Sequence, residues 1–253
     1  MPEIVNSLAD ARESVCAVMR IIRTEEKKRR RKGAPKKKVQ ISLSFVGTAW
    51  CIVESKFLVT AHHILNNGQP RDINDHFYAF SVPGNGPKAN RFPVVGFPLE
   101  DSKSDTAVLE IGEPAGKGQI IPPINLTFTR PVDGSHVFTI GFPAPEIAAA
   151  KVSPAGEFVG GGQFFLKSHI NEGVVSAQYE INASWFYEFN IGWHHGESGG
   201  PVLVVDEVPA VFSIMQHYRN VKSPHGIVAG PHRGISLEAI RDTLLDLGGA
   251  EAK

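Results

Sequence analysis

Short runs rich in β-branched and aromatic residues recur along this 253-residue chain, and clusters of Gly, Pro, Asn and Asp separate them. That alternation predicts strands at 14–22, 39–46, 48–53, 57–60, 77–82, 92–97 and 106–111. Residues 112–123, GEPAGKGQIIPP, hold three glycines and three prolines and read as a linker. Beyond it the pattern resumes, predicting strands at 136–140, 157–166, 173–179, 184–190, 201–205, 210–217 and 226–229. The period changes only near the end. After Ser236, the apolar residues Leu237, Ile240, Leu244 and Leu247 fall at spacings of three and four, which predicts a helix stopped by Gly248. The expected chain is all-β with a C-terminal α-helix, in two units: 14–112, carrying a basic loop at 25–38, and 122–248 with the helix.

Composition narrows the class. Lys and Arg (26) balance Asp and Glu (26), 42% of residues are hydrophobic, and no apolar run approaches the ~20 residues of a membrane-spanning helix. The opening residues MPEIVNSLADARES carry early acids and no apolar core, so no secretory signal is expected. The two cysteines, Cys16 and Cys51, both sit in apolar strand-like runs. They read as buried structural thiols, and a reducing, cytoplasmic location is the expectation.

Charge is unevenly placed. Residues 27–38, KKRRRKGAPKKK, contain nine bases and no acid, leaving 17 bases against 26 acids elsewhere. This run (Lys27, Lys28, Arg29, Arg30, Arg31, Lys32, Lys36, Lys37 and Lys38) reads as a long exposed loop between two strands of the first unit. Two interpretations stand: a solvated, self-repelling loop, or a site for nucleic acid, an anionic surface or an acidic partner.

The candidate chemistry lies in three segments. GESGGPV, residues 196–202, pins Ser198 between glycines, in a turn that would leave its side chain unobstructed and aim the N–H groups of Gly196 and Ser198 at one spot. FLVTAHHIL, residues 57–65, is an apolar strand running into His62 and His63. SDTAVLEI, residues 104–111, sets Asp105 at the mouth of an apolar run. With GTAW (47–50), HVFTIGFP (136–143), EGVVSA (172–177) and FNIGWHHGESGGPV (189–202), these segments resemble the chymotrypsin-fold, trypsin-like serine peptidases. The pattern is nearest the bacterial HtrA-type catalytic domain, without a PDZ-like extension. The resemblance spans residues 14–245. It implies two packed six-stranded antiparallel β-barrels with a C-terminal helix, acting on protein or peptide by acyl-enzyme chemistry.

On that resemblance Ser198 is the nucleophile, His63 the base, Asp105 the orienting carboxylate, and the amides of Gly196 and Ser198 the oxyanion donors. His62 competes with His63, and the family's spacing after Thr60 favours His63. Asp72, Asp75 and Asp101 compete with Asp105, but they sit in loop-like surroundings without an apolar run to bury them. The substrate-facing candidates are Gly192, Trp193, His195, Met215, Gln216 and His217. No aspartate stands at the pocket base, so a preference for Lys or Arg is not expected. A small or medium apolar side chain before the scissile bond is one reading, and an acidic or amide side chain drawn by His217 is the other. Glu197 occupies the place where secreted relatives put an aspartate that pairs with a new N-terminal amine. Ile4 and Val5 echo such a terminus, but an internal basic partner for Glu197, or none, is the adopted reading. The ten histidines show no His-Glu-x-x-His spacing and there is no Cys-x-x-Cys, so neither metal nor cofactor is expected.

Overall fold

A computed structural model describes residues 7–28, 36–66, 70–192, 194–223 and 226–252. The first half folds into six strands: β1 (Val15–Lys28), β2 (Lys36–Val53), β3 (Phe57–Ala61), β4 (His76–Ser81), β5 (Asn90–Asp101) and β6 (Thr106–Ile111). They close in the order β1-β2-β3-β6-β5-β4, every pairing antiparallel. Successive side chains alternate across the wall. Cys16 and Val18 point into a core with Ala49, Cys51, Leu58, Phe77, Ala79, Phe92 and Leu109, while Ala17, Met19 and Ile21 join a second cluster. Both faces of the first stretch of this strand are therefore buried, which is why residues 15–19 are apolar without interruption.

Two predicted segments of the first barrel merge. The strands expected at 39–46 and 48–53 are one strand, β2, and its register against β1 slips between Val18 and Met19 so that Val46 is the extra residue. A bulge bends a strand without ending it. The basic run also departs from its expected form. β1 and β2 continue outward as a ladder, with Lys27 opposite Lys37 and Lys28 opposite Lys36, so these backbones are a hairpin extension rather than a loop. Arg29, Arg30, Arg31 and Lys32 lie outside the described residues.

The second half contributes β7 (Asn125–Leu126), β8 (His136–Gly141), β9 (Glu146–Val152), β10 (Phe158–Phe165), β11 (His169–Ile181), β12 (Ser184–Ile191), β13 (Pro201–Val205), β14 (Pro209–Ser223) and β15 (Gly226–Ser236). Six of these form a second closed barrel in the order β13-β8-β11-β12-β15-β14, sealed by β13 on β14, while β7 adds in parallel to β14. β9 and β10 make a separate two-stranded sheet that was only half expected. The chain ends much as its apolar spacing predicts. The Ser236 hydroxyl caps the Glu238 amide, a 3₁₀ turn (Leu237–Ile240) leads into a short helix, α1 (Arg241–Asp246), and Gly248 turns out with φ 99°. Leu237, Ile240 and Leu244 are buried. Ile240 leaves helical geometry (φ −129°), so the expected single helix is two short pieces. Among the described residues no helix is long and apolar enough to cross a membrane.

One ion pair anchors the segment behind the His63 turn. Arg20 and Asp75 are each 1% exposed and meet at 2.5 Å, and the same guanidinium donates to the carbonyls of Asn66 and Pro70. The expectation that Asp75 lies in an open loop is thereby corrected: Arg20, following Cys16 and Val18 on the inward face of β1, carries its charge inside and draws the aspartate in. Removing one partner of such a pair strands the other. Arg20→Leu should cost about 3–5 kcal/mol in urea denaturation, and adding Asp75→Leu should recover much of that loss. A single variant as stable as the parent would show that the pair does not hold this segment.

Candidate active site

β3 delivers the chain to Ala61, and a short helical turn, His63–Asn66, follows. Asp105 stands directly before β6, the hydrogen-bonded neighbour of β3, so pairing of the two strands brings aspartate and histidine together. One carboxylate oxygen accepts from the His63 backbone amide at 2.8 Å and the other meets His63 Nδ1 at 2.8 Å. His62 meets Asp105 through its backbone amide, which donates to the Asp105 carbonyl at 3.0 Å. Asp105 takes φ 52° to make these contacts, a left-handed conformation uncommon outside glycine. Its side chain is 23% exposed and that of His63 43%, so the aspartate is less deeply buried than its apolar run suggests. The competitors are engaged elsewhere: Asp101 accepts from Ser104 Oγ and the Lys103 amide, and Asp72 caps its own turn through Asn74.

Ser198 comes from the other barrel, on the turn that enters β13. Its backbone oxygen accepts from the Thr48 amide of β2 at 2.8 Å, and Thr48 Oγ1 donates to the Gly196 carbonyl at 2.7 Å. Gly47 lets the two halves close, since a methyl group there would lie 2.8 Å from both Ile64 Cγ2 and Ser198 O. Gly199 is under the same constraint, because a Cβ would collide with Thr60 Oγ1 and Thr48 O, and its φ is 85°. The turn's amides divide in use. Those of Glu197, Gly199 and Gly200 donate to His194, Met215 and Glu197 carbonyls, whereas among the described residues those of Gly196 and Ser198 donate to no backbone oxygen. The His195 carbonyl accepts from the Ala144 amide at 3.0 Å. In a trans peptide the N–H opposes the C=O, so the Gly196 N–H is directed away from Ala144.

Glu197 lies beneath this turn, fully buried. It accepts from the His194 amide at 2.6 Å and from Asn171 Nδ2 at 2.9 Å, so a neutral carboxamide and a backbone N–H hold it. Among the described residues no Lys or Arg pairs with it; Ile4 and Val5 lie outside those residues. Sequence reasoning missed Asn171, which carries no motif, and gave Thr48 no role.

The substrate-facing candidates scatter. Gly192 and His195 are exposed, and Trp193 lies outside the described residues. Met215 is fully buried among Val202, Phe212 and Phe189 in the second barrel. Gln216 is 2% exposed and donates across the barrels to the Ser104 carbonyl at 2.9 Å. His217 does face the site, its ring 6.5 Å from that of His63. Burial, then Arg233, lowers the His217 pKa, with Asp105 opposing and His63 adding to the fall. Arg233 stands directly opposite His217 on β15. Among the described residues no cluster of three His, Cys, Asp or Glu converges to hold a metal.

Two closed β-barrels with a His–Asp contact on one and a glycine-bounded serine on the other define a class, and the comparisons agree with it. A family model described as the trypsin-like peptidase domain matches residues 47–207. The chain belongs to this family of serine endopeptidases. Among solved structures it is similar to the HtrA-type protease AlgW with decapeptide, at TM-score 0.61 and 16% identity over 96% of this chain and 66% of that one. It is similar also to the same protease with tripeptide, at TM-score 0.57 and 16% identity over 96% and 64%. The chain thus spans about two thirds of the length of those structures. No curated protein matches the sequence.

Burial pushes the Glu197 carboxyl above the usual range, with the His194 amide and Asn171 pulling the other way. The folded protein therefore holds this proton more tightly than the unfolded chain. The linked stability is present below the ordinary glutamate value of about 4.3 and is lost as pH rises through the raised folded value. Glu197→Gln, with the Asn171 amide reversed to match, should flatten that part of the pH profile in urea denaturation from pH 4 to 8. Parallel profiles for the two proteins would refute the assignment.

Proposed function

We propose that this chain cleaves peptide bonds through an acyl-enzyme, with Ser198 as nucleophile, His63 as base and Asp105 as orienting carboxylate. The observation that carries the reading is the two-oxygen grip of Asp105 on the His63 amide and Nδ1. With Nδ1–H committed to the carboxylate, Nε2 is left as the basic nitrogen. His63 takes the Ser198 proton as Oγ adds to the substrate carbonyl, and the resulting oxyanion falls to the uncommitted amides of Gly196 and Ser198. Collapse expels the amine, which receives that proton from His63. Water then adds to the acyl carbon as it gives a proton to the same imidazole; collapse breaks the ester bond, and His63 returns that proton to Ser198 Oγ as the acid leaves.

The surroundings of His217 bear on substrate choice. Arg233 beside it and the lack of a carboxylate at Gly192 disfavour a Lys or Arg side chain in the cleft. They support the reading in which an acidic or amide group lies against His217. The free, buried thiols support the reading of a reducing compartment: burial pushes Cys51 up to about 12 and raises Cys16 as well, so neither is a ready thiolate.

The basic hairpin supports a second role, recruitment. Residues 27–38 carry nine bases and no acid, and a polyanion would neutralise that concentration of charge.

A fluorophosphonate should label the protein at Ser198, and Ser198→Ala or His63→Ala should abolish labelling, a loss of about 10⁶ in turnover or roughly 8 kcal/mol. Asp105→Asn should lower kcat by about 10⁴. Equal labelling of parent and Ser198→Ala would exclude this serine. Replacing residues 27–38 by a Gly/Ser linker should leave short-peptide turnover unchanged. It should also remove a salt-sensitive affinity for RNA or DNA whose log–log slope is about one unit per phosphate contact. A binding titration insensitive to salt would remove the polyanion reading.

A further inference from the structure

A cavity of about 1270 Å³ lies apart from the catalytic cleft. It opens between the segment leading into β5 (residues 85–91) and the β9–β10 hairpin, with Phe80, Val82, Phe164 and Leu166 as its apolar floor. Its only charged lining residues are Lys88, Arg91 and Lys167. Outside the basic run the chain carries an excess of acids, so a cavity with three cations and no carboxylate stands apart.

One wall is strand β10. Among the described residues β10 pairs with β9 alone, so its other edge is open, and Val159 and Phe165 on this strand are 56% and 67% exposed. Between Phe158 and Gly162 even the pairing to β9 lapses. Arg91 is drawn to that stretch, donating to the Gly160 carbonyl at 3.2 Å while its guanidinium lies 4.5 Å over the Phe158 ring. The site is preformed. Asn85 clasps Ser168 by donating to its carbonyl and accepting from its amide and hydroxyl, which fixes the two walls to each other.

We propose that this cavity docks an extended, carboxylate-bearing segment of a partner polypeptide, laid as an added strand on the free edge of β10. Its volume exceeds the range of about 300–1,000 Å³ typical of small-molecule sites. An open strand edge offers main-chain hydrogen bonds to any extended peptide, and Lys88, Arg91 and Lys167 select one with acids. Pro143 and Ala144 also line the cavity, and the Ala144 amide donates to the His195 carbonyl. The docked segment therefore lies against a residue bonded to the oxyanion turn.

The test reads binding without turnover, so its failure is separate from failure of the catalytic reading. On full-length Ser198→Ala protein, a short fluorescein-labelled peptide alternating Glu with Val is titrated by anisotropy. It should bind, and binding should weaken with salt. Lys88→Glu and Lys167→Glu should each weaken it about fivefold, while Lys88→Arg and Lys167→Arg leave it near the parent value. N-methylation of alternate peptide amides should abolish it, since strand addition uses those groups. Equal affinity for the Gln-for-Glu peptide, or indifference to N-methylation, would overturn the proposal. So would a dimer, seen by sedimentation, that buries Phe165 and that the peptide does not dissociate.

Discussion

Thr48 is the joint on which the two halves of the molecule meet. Its amide holds the Ser198 carbonyl, its hydroxyl donates to Gly196 O and accepts from the Phe142 amide, and its carbonyl accepts from Thr60 Oγ1. Three segments from both barrels thus close on one residue. The histidine and its aspartate belong to one barrel and the serine to the other. The geometry of the proposed triad is accordingly no better than this joint, and a catalytic set tolerates errors of only about 0.5 Å. Valine would keep the shape of Thr48 but lose both hydroxyl contacts. Gly47 and Gly199 follow from the joint, because the backbones approach too closely for any Cβ.

Beneath the joint, buried charge is handled in two ways. Arg20 and Asp75 answer each other, and the guanidinium also donates to the carbonyls of Asn66 and Pro70. Among the described residues Glu197 has no Lys or Arg partner; Asn171 and one backbone amide serve instead, and its carboxyl is raised rather than lowered. A buried acid with neutral partners is costly as an anion. Its place between the two uncommitted amides of Gly196 and Ser198 makes the turn's shape sensitive to what holds this side chain.

The sequence made the serine turn legible because its chemistry is local. Gly196 and Gly199 adopt φ 103° and 85°, angles that only glycine takes readily, and they bracket Glu197 and Ser198. The alternating apolar runs revealed most strands for the same reason, and the apolar stripe revealed the C-terminal turn and helix. What stayed hidden is non-local. Residues 146–152, Glu-Ile-Ala-Ala-Ala-Lys-Val, favour helix by composition, and become β9 only through pairing with β10. The reading of Met215, Gln216 and His217 as one lining stretch ran into a register slip between Met215 and His217. Such a slip resets which side chains face the cleft and leaves no mark in the residues themselves. Asn171 is simply one polar residue on a long strand, and only the folded register puts it on Glu197.

The β9–β10 hairpin shows how an insertion can stay coupled to the centre. It leaves β8 beside Phe142, which bonds Thr48, and it returns at Ser168, which Asn85 grips. Between those points Phe158 and Phe164 pack on Tyr78 and Phe80 with ring centroids 4.9 Å apart, so a segment of the second half is seated on the first barrel. Ala144, at the start of the excursion, sits at φ 45°. A non-glycine residue persists there only when its neighbours over-determine it. Here the neighbours are the aromatic seat on one side and the His195 carbonyl on the other, so a strained residue links the hairpin's footing directly to the peptide plane that carries the Gly196 amide.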